Sequence, residues 1–158
     1  AFMLICVAQG VYTVVAIAAV GICVPPLGLG LATLIGRKNF SSEEREAGKA
    51  ALVMGCVGVT EGAIPFAAAD PLRVIPSIMV GSACGTVTAA LFGAQCYAGW
   101  GGLIVLPVVE GKLGYIAAVA VGAVVTAVCV NVLKSLARKK VSQVDQKEDD
   151  LDLDFEMN

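Results

Sequence analysis

From Leu113 to Leu133 the chain carries no charged residue, and Ala and Val make up most of the run before it stops at Lys134, Arg138, Lys139 and Lys140. At a rise of about 1.5 Å per residue, a helix of this length matches the ~30 Å hydrocarbon core of a bilayer. Val11–Gly36 and Val74–Phe92 are likewise uncharged and of comparable length. A helix that is apolar on every face belongs inside lipid or a large core. Composition points to lipid: 58% of residues are hydrophobic and 15% charged, and the mean hydropathy is +0.84. The expected fold is therefore all-α, a polytopic integral membrane protein with broken or re-entrant helices.

The first of these spans contains Val24-Pro25-Pro26. Two prolines remove two backbone donors, so a kinked or broken span is expected there, with protein or water around the freed carbonyls. Next come Arg37 and Lys38, then Ser41 and Glu44 at capping-box spacing, which predicts a helix starting near Ser42. Basic residues directly after Gly36 and after Leu133 place both span ends in the cytoplasm by the positive-inside tendency. An even number of crossings must then separate them, and Val74–Phe92 with Leu113–Leu133 supplies two. The regions near 50–70 and 93–107 are left to be re-entrant or loop-like, which suits their Gly58, Gly62, Pro65, Gly99, Gly101, Gly102 and Pro107. Residues 1–140 thus form the membrane part, and residues 1–9 read as the end of a span that begins upstream of a fragment. Residues 141–158, with seven acids against Lys147, are expected to be a disordered cytoplasmic tail.

Composition also excludes several functions. The chain has no histidine, so neither a histidine general base nor a histidine phosphocarrier lies within it. Its six cysteines, Cys6, Cys23, Cys56, Cys84, Cys96 and Cys129, form no C-x-x-C pair. They read as small apolar packing residues rather than a disulfide or metal framework. No cofactor is expected. Without a basic face interleaved with aromatics, nucleic acid is not an expected partner.

Between Ala50 and Gly111 the only charged residues are Glu61, Asp70, Arg73 and Glu110. A carboxylate such as Glu61 in an apolar stretch costs several kcal/mol unless hydrated or bonded, so it is a candidate functional group. An ionised carboxylate accepts charge-assisted hydrogen bonds from ligand hydroxyls. Asp70-Pro71-Leu72-Arg73 has the pattern of a helix start, with Asp70 as cap, Pro71 first in the helix and Arg73 one turn on to pair with Asp70. Substrate contact, or a surface for a soluble partner, is the other reading of that pair. Trp100 is placed either to stack on a ligand ring or to anchor at the membrane interface. Glu110 and Lys112 read as charges at a span boundary.

Val24-Pro25-Pro26-Leu27-Gly28, Glu46-Ala47-Gly48-Lys49 and the continuous run from Thr60-Glu61-Gly62-Ala63-Ile64-Pro65-Phe66 through Asp70-Pro71-Leu72-Arg73 to Ser77 together resemble the membrane IIC component of the fructose-type phosphoenolpyruvate-dependent phosphotransferase system. The resemblance extends from about Val11 to Lys140 and corresponds to the C-terminal half of that family's membrane domain. It implies a bacterial inner-membrane permease that takes up a sugar while the sugar is phosphorylated. It also implies IIA and IIB components and general phosphocarrier proteins as partners, and a homodimer. The phosphate would come from a phosphocysteine on a separate IIB domain. The family's Thr-Glu-Gly motif falls on Thr60, Glu61 and Gly62, which makes Glu61 the expected sugar ligand. Many relatives read Pro-His-Gly-Gly where this chain reads Gly99-Trp100-Gly101-Gly102, and this departure opens the choice of sugar to a related hexose or polyol. An ion-coupled secondary transporter, which also uses broken helices around an intramembrane acid, is the alternative, as is a non-transporting remnant.

Overall fold

The computed structural model describes the backbone of residues 2–156 and the side chains of residues 2–138. Six helices account for most of it: α1 (Phe2–Ala8), α2 (Tyr12–Ile35), α3 (Ser42–Val57), α4 (Ile64–Ala69), α5 (Pro71–Leu91) and α6 (Lys112–Glu156). Three short 3₁₀ turns, at Arg37–Asn39, Thr60–Ala63 and Leu103–Val108, join them, with one two-residue antiparallel pair of strands, β1 (Gln95–Cys96) and β2 (Val109–Glu110). Helices α2, α5 and the Lys112–Arg138 part of α6 are long and apolar enough to cross a membrane. The chain is an all-α membrane chain, as its charge-free runs require.

α2 is the centre of the bundle. Two-thirds of its most apolar stretch is buried, against 28% for α5, because α3, α5 and α6 all pack on it. The packing rests on small residues. Added β-carbons at Gly28 and Gly81 would both meet Thr126, and one at Gly122 would meet Val24. One at Gly85 would come within 3.1 Å of the Ala118 carbonyl. Close backbone approach of this kind is how helices associate in lipid, where apolar burial offers little. Contacts between α2 and α6 rise together along both chains (Val24 with Gly122, Gly28 with Thr126, Gly36 with Asn131), so these two helices run parallel. Those between α5 and α6 run in opposite senses (Gly81 with Thr126, Phe92 with Gly114), as an antiparallel pair must.

α3 begins where the sequence places it. Ser41 Oγ accepts from the Glu44 N–H at 3.1 Å and Glu44 Oε2 accepts from the Ser41 N–H at 2.9 Å, a reciprocal capping box. The helix runs antiparallel to α2, its Gly48, Leu52 and Gly55 facing Thr33, Gly30 and Leu27. The chain then turns and comes back through α4. At the end of that return, Phe66 is fully buried beside Phe40, ring centroids 6.4 Å apart. α3 and α4 therefore form a hairpin that leaves and re-enters the same end of the bundle. That end carries the basic residues: Lys134 Nζ lies 2.5 Å from Glu44 Oε1 and over the Phe40 ring, and Arg138 donates to the Lys38 carbonyl.

Two expectations are corrected. The prolines do not break α2, which is one helix from Tyr12 to Ile35. Pro25, Pro26 and their neighbours are buried among other helices, and packing on all sides holds the helix across the missing donors. The acidic stretch expected to be disordered continues α6 as helix to Glu156. The side chains of residues 139–158, Ala1 as the expected end of an upstream span, and Met157 and Asn158 lie outside what is described.

The glycine contacts give a direct test. Gly81→Ala should lower the thermal unfolding midpoint in detergent by an amount equivalent to roughly 1–3 kcal/mol, because its β-carbon meets Thr126 and the Gly122 carbonyl. Gly21→Ala, whose β-carbon reaches only ordinary contact with Thr86 at 3.4 Å, should be neutral or raise the midpoint. Equal midpoints for the two variants would contradict this account of the α5–α6 contact.

Candidate functional site

α3 ends abruptly because Gly58 takes a left-handed conformation, φ 89°. Its N–H and that of Val59 fold back onto the Met54 carbonyl, both at 2.9 Å, which satisfies part of the helix end. The turn has a second requirement. A β-carbon at Gly58 would lie 2.1 Å from the Gly101 carbonyl oxygen, so glycine is needed for space as well as for φ.

The backbone that Gly58 meets comes from the opposite direction. After α5, β1 and β2 pair with Gln95 opposite Glu110 and Cys96 opposite Val109, and residues 98–102 project from that base toward the middle of α2. Gly101 packs on Ala19, and Gly102, at φ 122°, abuts the Val57 carbonyl. Three side chains bond the backbone around this junction. The Trp100 indole N–H donates to the Val57 carbonyl at 3.1 Å, and the fully buried Tyr115 hydroxyl donates to the Gly102 carbonyl at 3.2 Å. The Thr60 hydroxyl reaches the Ile22 carbonyl at 3.5 Å. Ile22 lies four residues before Pro26, so its carbonyl lacks the usual helical donor. The turn after α3 thus supplies the donor that the proline withholds.

That turn, Thr60–Ala63, carries Glu61. Gly62 is buried against Ala51 and Met54 of α3, which pins the turn and leaves Glu61 exposed. The Glu61 side chain has no hydrogen-bond or ion-pair partner among the described residues. A cavity of about 400 Å³ lies at the same junction, lined by Phe2, Met3, Leu4, Ile22, Gly58, Gly99, Trp100 and Gly101. Glu61 is not among those lining residues; as a partnerless carboxylate on a fixed turn it can accept hydrogen bonds from a polyhydroxy ligand, and it cannot by itself move a phosphoryl group.

The structure does not bring all the expected site residues together. Asp70 and Arg73 sit at the basic end, in a separate cavity of about 1040 Å³ with Lys38, Glu44 and Lys134. Asp70 occupies the cap position of α5 and Pro71 the first helical position, but the carboxylate makes no cap bond. It accepts instead from Arg73 Nη1 at 2.7 Å. Glu110 accepts the Tyr97 hydroxyl at 2.8 Å, a local contact. The six cysteines are all free, and no cluster of metal-ligating side chains occurs among the described residues. Sequence reading missed Tyr115, an aromatic inside an apolar run, and the Glu44–Lys134–Phe40 group, whose members lie far apart in the chain.

Comparison with known proteins fits this geometry into a family. Over all 158 residues the chain is 92% identical to the fructose-like permease IIC component 2 of Escherichia coli. The chain belongs to the fructose-type IIC permease family. Other members are further off: the fructose-specific EIIB'BC component of Vibrio cholerae is 48% identical over 79% of the chain, and the fructose-specific EIIABC component of Bacillus subtilis 44% identical over 74%. The chain spans 44% of the length of the E. coli IIC relative and 22% and 18% of the other two. No protein-family profile matches it. No solved structure matches it. Thr60, Glu61 and Gly62 lie on the short turn that follows Gly58.

Proposed function

We propose that the chain supplies the sugar-binding acid and part of the translocation path of a phosphoenolpyruvate-dependent sugar phosphotransferase permease. The observation that carries this reading is Glu61: an exposed carboxylate on the short turn Thr60–Ala63, without a hydrogen-bond or ion-pair partner among the described residues. An ionised carboxylate there binds one or two sugar hydroxyls through charge-assisted hydrogen bonds and orients the hydroxyl that accepts phosphate. Thr60 and Gly62 hold the turn, and Trp100 borders the cavity beside it. The sugar is fructose or a related hexose or polyol. With no histidine in the chain and no cysteine in a phosphocarrier setting, the phosphoryl donor is a IIB domain, itself charged by IIA and the general phosphocarrier proteins. The fused names EIIB'BC and EIIABC of the relatives support those partners. The Asp70–Arg73 pair acts first as a local ion pair at the start of α5, in the cavity that faces such a donor. The permease works as a homodimer in the inner membrane.

Glu61→Gln in the full-length permease should weaken sugar binding on the order of 10- to 100-fold, the scale of hydrogen bonds to a charged group, while membrane insertion stays intact. Equilibrium binding of labelled fructose and related hexoses to purified protein measures it, and wild-type affinity in the variant would rule Glu61 out as the ligand.

The basic end, where Lys38, Lys134 and Arg138 cluster, and the residues after Lys140 face the cytoplasm in this reading, which the positive-inside tendency supports. Single cysteines at Lys38 and at Ser142, in a cysteine-free background, should both resist an impermeant thiol reagent in intact cells and react after permeabilisation. Labelling of one but not the other in intact cells would contradict the shared end.

A further inference from the structure

We infer that Trp100 is a positioning residue, whose indole N–H fixes the turn that carries Glu61, rather than an aromatic platform for the sugar. The inference rests on Glu61 being the sugar ligand. Trp100 sits in Gly99-Trp100-Gly101-Gly102, a stretch whose glycines give the backbone wide conformational freedom. Something outside the backbone must order it. Burial does not, since the Trp100 ring is 59% exposed. Its N–H bond does: the acceptor, the Val57 carbonyl, is the last of α3 and has lost its in-helix donor because the chain turns at Gly58. At membrane depth such a carbonyl needs a partner from protein, and the indole is the one it has.

The bond is one link of three that run around Glu61. Tyr115 on α6 holds the Gly102 carbonyl, Trp100 in the same loop holds Val57 at the end of α3, and Thr60 beside Glu61 holds Ile22 on α2. Each link joins a side chain to a backbone carbonyl on a different element, so together they tie both turns to the helices behind them. The carboxylate is held by supporting bonds and needs none of its own, which is how a binding group stays ready for a ligand. Trp100 and Thr60, two residues whose chemistry alone suggests sugar contact, are engaged in that support.

The two roles of Trp100 differ before any sugar is present, and that decides the test. Amide hydrogen exchange of residues 58–62 is followed in the sugar-free full-length permease. Trp100→Phe, which keeps an aromatic ring and loses the N–H, should speed this exchange about fivefold, the value of one net hydrogen bond, and Trp100→Ala should do the same. Unchanged exchange in Trp100→Phe overturns the inference. Should Trp100→Phe fail to insert, Tyr115→Phe decides: faster exchange at the same residues supports the linked arrangement and unchanged exchange overturns it. Glu61→Gln serves as the separate control, since it should leave exchange at wild-type rates and remove sugar affinity. Retained sugar affinity in that variant would sink the proposed sugar site without touching the role of Trp100, which the exchange data alone decide.

Discussion

Two glycine turns approach each other so closely in this chain that no side chain fits between them. Gly58 ends α3 in a left-handed turn against the Gly101 carbonyl, and Gly102 returns the contact to Val57. This backbone-to-backbone junction decides where everything else goes. It stops α3 partway along α2, forces the chain to turn back through Thr60–Ala63 and α4, and puts Glu61 at the turning point. The Val57 carbonyl left by the end of α3 is taken up by Trp100, the Gly102 carbonyl of the opposing loop by Tyr115, and the Ile22 carbonyl freed by Pro26 by Thr60. In water those groups could be hydrated; in lipid they must find protein partners, so the junction and its three side-chain bonds stand or fall together.

Much of this was legible in the sequence because lipid leaves few choices. An uncharged run closed by Lys134, Arg138, Lys139 and Lys140 has one stable form, and Ser41 with Glu44 announces the start of α3 through pairwise chemistry that local spacing fixes. Glu61 stood out for the opposite reason, as a charge where none is tolerated without cause. The return of the 50–70 region to its starting end was an expectation from counting crossings, and Phe66 packs beside Phe40 in the structure.

What stayed hidden depends on contacts between distant residues. Pro25-Pro26 reads locally as a break, yet α2 is continuous because it is enclosed by three other helices. Asp70 reads as a cap with Arg73 placed to pair with it; the ion pair forms and the cap bond does not, because a charged donor wins over backbone N–H groups. Tyr115 gave no signal at all, since its role exists only once the loop bearing Gly102 has folded onto α6.

Broken helices around an acid are an architecture that ion-coupled carriers also use, so the source of energy is what separates the permease reading from its rival. Phosphoryl transfer needs donor and acceptor held in line at close range, and the proposed permease takes its phosphate from a IIB domain. The deciding measurement is product analysis with the purified full-length permease in sealed vesicles. Sugar phosphate should form only when phosphoenolpyruvate, the general carriers, IIA and IIB are all supplied, and should still form when all six cysteines of this chain are replaced by Ala or Ser. Accumulation of unmodified sugar driven by an ion gradient alone would contradict the account.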